Sequence, residues 1–443
     1  MLIFVNNASR TKLGCGINLR NLRYRQVIAV GPHRGVAMTR LTFASVLFFA
    51  FVMAFMSIEP NQREAALGIS SAKAQTVSPL NPCAAPNAIN PTDAAETAWQ
   101  LWVAATCPVN TRQYPFVVWE DWIEQAQMYP ANPAAGLEVP NAKAAGPNAT
   151  HLLHGSPLAT LKKPSTIKLV PGLLGGADQS CNKASTPPPG QPNLVICEEV
   201  RLNGAVEDYI AGTKLWKRGG QTKAAANGTD IQFSPPSVEI KADWIQLSSI
   251  GLDCSTLPAK FFQKIHVETI NGNCFALAGM HLMSKLQNKW IWATFEPQSP
   301  ITNPYRCQVL GCTDDFGSTP TVTHGADTSL TPGLTALMTA ANLAPEFFNY
   351  RLDGVQIGYF KPQLLGNSII EGENAGVPLT QASCITCHSV SSIKSDGTDG
   401  ITLLTSNPVG APPALPSDAW IRRDFIWSLS EACFNSPLQA CTQ

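Results

Sequence analysis

Charge is scarce in this chain. Only 14% of its 443 residues are Asp, Glu, Lys or Arg, and the first acidic residue is Glu59. With 44% hydrophobic residues, this composition excludes a disordered or fibrous chain and fits globular protein of about two domains. The formal net charge of zero conceals a division. Residues 1–75 carry Arg10, Lys12, Arg20, Arg23, Arg25, Arg34, Arg40, Arg63 and Lys73 against Glu59 and Glu64 alone. Residues 76–443 therefore hold 22 basic and 29 acidic side chains, a balance of about −7. The body of the chain thus lacks the basic array that nucleic acid or an anionic membrane surface would need.

Other absences narrow the reading further. There is no internal repeat, no phosphate-binding glycine loop, no membrane-spanning apolar run after residue 57 and no second C-x-x-C pair. What precedes residue 57 is distinctive. After Arg40 run the seventeen uncharged residues Leu41 to Ser57, in the basic-then-apolar order of an export signal. Met38 reads as the start of that signal, and Ala72-Lys73-Ala74 as a small-x-small cleavage pattern; a retained N-terminal anchor is the alternative. Residues 1–75 are taken as this leader, and the rest of the chain is expected to be exported.

Cysteine usage agrees with export. Apart from Cys15, twelve cysteines remain, and their even number and short spacings suit an oxidising compartment. If Cys384 and Cys387 are reserved for the motif described below, neighbour pairing joins Cys83 to Cys107, Cys181 to Cys197, Cys254 to Cys274, Cys307 to Cys312 and Cys433 to Cys441.

The fold class expected is α+β, with an antiparallel sheet of three to four strands, flanking helices, long disulfide-pinned loops and a C-terminal segment that carries Cys384-Ile385-Thr386-Cys387-His388, C-x-x-C-H, the c-type haem attachment pattern. Residues 76–300 form the mixed domain in this reading, and 301–443 the C-terminal region, either separate or packed with it as one unit. Helices are predicted at Ala94 to Ala105, Pro115 to Met128, Ala205 to Lys217 (closed by Gly219-Gly220) and Leu334 to Ala341. Trp99 and Trp102, like Trp119 and Trp122, are spaced to share a helix face and read as core rather than as a ligand cage. Glu120, Asp121 and Glu124 read as the solvated side of their helix rather than as an acid/base cluster. Residues 129–200 read as loops.

Strands are predicted at Val238 to Leu247, Gln263 to Ile270, Phe275 to Met283 and Trp290 to Phe295, with Asn271-Gly272-Asn273 as a hairpin turn. A further strand is placed at Gly354 to Phe360. Alternation puts Phe275, Leu277, Gly279, His281 and Met283 on one face of the third strand.

The chemistry is carried by Cys384-Ile385-Thr386-Cys387-His388. Two thiols at this spacing can join the two vinyl groups of one haem as thioethers, and the adjacent imidazole can then ligate the iron. The chain's own composition gives about 0.006 chance occurrences of C-x-x-C-H. A thioredoxin-type pair would follow a buried strand, whereas polar Thr380-Gln381-Ala382-Ser383 precedes this one. A zinc site would need a second pair, and a plain disulfide loop remains a third alternative.

At CITCH the chain resembles bacterial exported c-type cytochromes. The resemblance extends more loosely to Leu364 to Gly372 (LLGNSIIEG) and Trp290 to Pro297 (WIWATFEP), stretches similar to large single-haem members. It implies one covalent haem c held by Cys384 and Cys387, with His388 as the proximal iron ligand. Small cytochromes c supply a downstream methionine as sixth ligand, but none of the 55 residues after His388 is Met or His.

Upstream candidates for that ligand are His281, Met280, Met283, His266, His324, His151, His154 and Met338. His281 stands out as the distal ligand because it interrupts an apolar strand face; a hydrogen-bonded core histidine is the plainer alternative. Trp290 and Trp292 could wall the haem or simply fill the core. The leading functional expectation is electron transfer in the cell envelope, to a redox partner with a basic docking face. A haem enzyme (peroxidase or small-molecule oxidoreductase) with an open iron site is the alternative, and a haem-containing binding or sensor module the second alternative.

Overall fold

The computed structural model describes residues 81–129, 181–298, 307–319 and 328–432, apart from short breaks within them. Residues 1–75, read above as a leader, and His151, His154, His324, Cys433 and Cys441 lie outside the described residues. Among those described, no helix is long and apolar enough to cross a membrane.

Helix α1 (Ala94–Thr106) begins at Asp93, whose side chain accepts from the Glu96 amide at 3.0 Å. Its tryptophans are fully buried, as expected. The Trp102 ring stacks on Phe295 at 4.4 Å, and Trp99 donates through Nε1 to both carboxylate oxygens of Asp314 at 3.1 Å. Cys107, just after the helix, is tied to Cys83.

The stretch predicted as a second helix is not one. It forms the hairpin β1 (Pro108–Thr111) and β2 (Tyr114–Val117), a 3-10 turn at Val118–Asp121, the short strand β3 (Ile123–Glu124) and one helical turn at Gln125–Met128. Val117 and Val118 favour extended backbone, and pairing with β1 supplies it with hydrogen bonds. Glu120 and Glu124, expected in solvent, are buried and ion-paired.

Strands β4 (Asn182–Lys183), β5 (Val195–Leu202), β6 (Val238–Gln246), β7 (Val267–Ile270), β8 (Asn273–Ser284) and β9 (Ile291–Pro297) follow. Then come the small hairpin β10 (Ser318–Thr319) with β11 (Ser329–Leu330), and β12 (Tyr350–Gln356). The main sheet has eight strands rather than three or four, all antiparallel, in the order β12-β9-β8-β6-β5-β3, with β4 on β5 and β7 on β8. The excess comes from β5, in a segment read as loop, from β12, and from the two-residue strands β3 and β4, too short to show a period. Because β12 pairs with β9, the sheet crosses residue 300.

Helices α2 (Gly204–Thr213) and α3 (Arg218–Ala226) replace the single helix expected there. Lys214, with φ at 60°, ends α2, and Gly219-Gly220 lie inside α3. A Cβ at Gly220 would meet the Lys214 carbonyl oxygen, so this glycine serves close approach of two chain segments rather than a cap. Helix α4 (Pro332–Ala340) matches its prediction closely.

One sheet face packs on α1 and α4 through Trp99, Trp102, Met280, Phe295, Met338 and Tyr350. The other packs on α2, α3 and the C-terminal segment through Val206, Met283, Trp290, Trp292, Ile385 and Ile426. Disulfides join Cys83–Cys107, Cys181–Cys197, Cys254–Cys274 and Cys307–Cys312, four of the five pairings expected. The fifth lies outside the described residues.

Candidate functional site

The C-x-x-C-H residues open helix α5 (Cys384–Ser389), a six-residue helix lying on the second core. A helix that short has little stability of its own, so its neighbours hold it. Gln356, at the end of β12, accepts from the Ile385 amide at 3.1 Å and donates to Ser383 Oγ at 3.2 Å. Thr386 Oγ1 donates to the Gly410 carbonyl at 2.6 Å, and Trp427 Nε1 to the Cys387 carbonyl at 3.3 Å. Ile385 is fully buried.

His388 emerges from this helix against the Trp292 ring, with centroids 4.7 Å apart. Its Nδ1 lies 2.8 Å from the Phe425 carbonyl oxygen. A carbonyl only accepts, so Nδ1 carries the hydrogen and Nε2 the lone pair of the neutral ring. Burial pushes the imidazole down to about 4, and the charges on Lys241 and His281 push the same way. His388 is therefore a neutral nitrogen donor at neutral pH.

The anchoring carbonyl is itself held under strain. Asp424 and Phe425 have φ of 50° and 71°, a region costly for side-chain-bearing residues. Lys285 Nζ, 2.6 Å from Asp424 Oδ1, and the Phe233 amide, 2.8 Å from Oδ2, fix them there.

The two motif cysteines differ in state. Cys384 is a free thiol whose Sγ donates to the Leu365 carbonyl at 3.4 Å; burial and then the Glu371 carboxylate push its pKa well above the usual range, so it stays protonated. Cys387 is disulfide-bonded. Apart from the free Cys384, the other described cysteines pair among themselves. Reserving both thiols for the motif does not match this state.

His281 lies on β8 opposite Lys241 of β6 and Thr294 of β9. A bulge between Leu277 and Gly279 breaks the expected alternation. Phe275 and Leu277 join the first core, while Met283 joins the second, with Trp292 and Ile385. His281 Nε2 lies 2.9 and 3.0 Å from the two oxygens of Glu371, and its buried Nδ1 has no hydrogen-bond partner. Burial would raise Glu371, but the charge and hydrogen bond of His281, with further hydrogen bonding from Asn367, hold it below its ordinary value. Lys241 Nζ pairs with Glu198 at 2.8 Å. Charges on Lys241, His281 and Glu371 all act on His388, which places this polar group within electrostatic reach of the motif.

Glu371 comes from a π-helix, Ser368–Ala375, a rare element that Asn367 caps by accepting from the Ile369 and Ile370 amides. Asn367 Nδ2 donates to Thr294 Oγ1 at 3.0 Å, and its side chain sits where a Cβ on Gly279 would lie, 2.5 Å from its Oδ1. The two stretches singled out by resemblance thus meet at the motif. Residues 364–372 supply Leu365, Asn367 and Glu371, and residues 290–297 supply Trp292 and Thr294.

Sequence reasoning missed Glu371, Gln356, Lys285 and Phe425. They are 29 to 139 residues from their partners, and no spacing connects them. Of the other ligand candidates, Met280 and Met338 are buried in the first core, and Trp290 is fully buried in the second. His266 belongs to a separate cluster with Glu120 and Glu268. Comparison with protein-family models, with curated proteins and with solved structures finds no match for this chain.

Proposed function

We propose that this chain is an exported protein that binds one haem c covalently and transfers electrons in the bacterial cell envelope. The observation that carries the reading is His388: a half-buried imidazole kept neutral, its Nδ1 committed to a backbone carbonyl and its Nε2 lone pair left to bind a metal. Of the motif side chains, His388 and Cys384 are in the state that haem attachment needs. Cys387 is not, and it must leave its disulfide before its sulfur can join a vinyl group.

When bound, haem supplies an iron that takes up and releases one electron. His388 would be its proximal ligand. His281, with Nε2 held by Glu371 and Nδ1 unclaimed, is the candidate second donor, and Met283 lies on the same side of the sheet. Four disulfides among the described residues support export, as does the basic-then-apolar leader.

Intact-mass measurement of protein made in a host that attaches haem c tests the reading. A gain of roughly 616 Da, absent from a Cys384→Ala/Cys387→Ala variant, is expected. An unchanged wild-type mass would sink it, as would covalent haem retained by the double variant.

The His281–Glu371 pair favours a second reading, a haem enzyme with an open iron site, because a carboxylate-held imidazole can pass protons. Absorption spectra separate the two. Electron transfer requires a six-coordinate, low-spin iron that ignores carbon monoxide and peroxide, whereas the enzyme requires a high-spin iron that binds them.

A further inference from the structure

A second cluster of donors lies apart from the motif and shares no residue with it. His266 immediately precedes β7, and Glu268 two residues on shares its face of the strand. Glu120 reaches the same place from the 3-10 turn at Val118–Asp121. His266 Nε2 is 2.6 Å from Glu120 Oε1 and 3.7 Å from Glu268 Oε1, and the three donor atoms all lie within 4.8 Å of one another.

Each donor is positioned by something behind it. The other oxygen of Glu120 accepts from the Val117 amide at 2.9 Å. The His266 ring lies between Trp244 and Phe347, at centroid distances of 5.6 and 5.0 Å, and its backbone amide donates to Tyr350 Oη at 3.2 Å. On the far side of the ring, Nδ1 faces Glu346 Oε1 at 3.7 Å. An imidazole backed by a carboxylate on one nitrogen and facing donors with the other is the arrangement that orients histidine toward a metal.

Charge points the same way. Three carboxylates (Glu120, Glu268, Glu346) surround one imidazole, and the nearby Arg201 guanidinium is already taken by Glu124 at 3.0 Å and Glu199 at 2.6 Å. The group gathers three carboxyl groups and one imidazole in a largely buried setting, and a divalent cation binding there would displace the protons they share.

We propose that Glu120, His266 and Glu268 bind a single zinc-type divalent ion, with Glu346 positioning the imidazole. One nitrogen and two oxygens suit zinc, and donors about 3 to 4 Å apart fit bonds of about 2.0 to 2.2 Å, so only the short Glu120–His266 contact must open. Glu268 is the partly exposed member, so the fourth position opens on its side, to water. The ion replaces the proton that otherwise bridges His266 and Glu120.

Titration of chelator-treated protein with zinc chloride, against a chromophoric competitor, tests this. One equivalent should bind at micromolar or tighter affinity. Glu268→Gln, at the exposed side of the cluster, should weaken it at least tenfold with an unchanged circular dichroism spectrum, and Glu346→Gln about tenfold through loss of orientation. Cys384→Ala should leave both affinity and stoichiometry intact. Absence of saturable binding to the wild type would overturn the proposal, as would wild-type affinity in Glu268→Gln. Loss of binding in Cys384→Ala would assign the ion to the thiol and overturn it equally. None of these readouts depends on haem.

Discussion

A half-buried histidine kept uncharged makes folding sensitive to acid. The ordinary imidazole takes up its proton near 6.5, whereas His388 in the folded protein does so at about 4. Between those values the unfolded chain holds a proton that the folded one refuses. The stability is fully present above 6.5 and is lost as the pH falls toward 4, amounting to roughly 3 kcal/mol. Urea unfolding of haem-free protein at pH 7 and 4.5 should show a loss of this order, and His388→Phe should remove most of the difference.

Two other residues near the motif make sharper demands. Lys285 and Asp424 are both buried and 2.6 Å apart, so Lys285→Met leaves a carboxylate without its cation. We expect about 3 kcal/mol or more of destabilisation, partly restored in Lys285→Met/Asp424→Asn. Gly279→Ala drives a methyl group into Asn367, which cannot move without giving up the π-helix cap. A cost of about 1 to 3 kcal/mol is expected by chemical denaturation, with a changed near-ultraviolet spectrum from Trp292.

At the scale of the element, legibility followed chain distance. The strands β6, β8 and β9, helices α1 and α4 and four disulfides could be read directly, because each depends on a local period or on cysteines at most 24 residues apart. The segment 115–128 could not, because its helical spacing of tryptophans competes with a hairpin partner that the spacing does not reveal. The bulge in β8 carries no signature either, yet it sends His281 to the motif side and Leu277 to the opposite core. Of the site itself, CITCH and His281 were legible; Glu371 was not, since a carboxylate 90 residues away is indistinguishable from any surface glutamate. The disulfide at Cys181–Cys197 anchors β4 and β5 at the sheet edge. In the chain-entropy model its loop is worth about 3 kcal/mol, so Cys181→Ala/Cys197→Ala should lower the denaturation midpoint accordingly.

On the scale of the molecule, the acidic balance of residues 76–443 sets how it meets other proteins. A redox partner with a basic docking face should associate more slowly as ionic strength rises, since screening shortens the reach of the attraction. Stopped-flow association rates that do not fall with salt would count against that partner.

The placement of α5 also carries a consequence for the order of assembly. The helix follows every strand of the main sheet along the chain, and Gly410, Phe425 and Trp427, whose contacts complete it, follow it in turn. On the proposed haem reading, a bulky planar cofactor joined to Cys384 and Cys387 would need to arrive while the sheet already stands and the later segment that covers α5 is still loose. Maturation of such a protein would be a race between attachment and closure, and slowing closure, as Lys285→Met should do, would favour attachment.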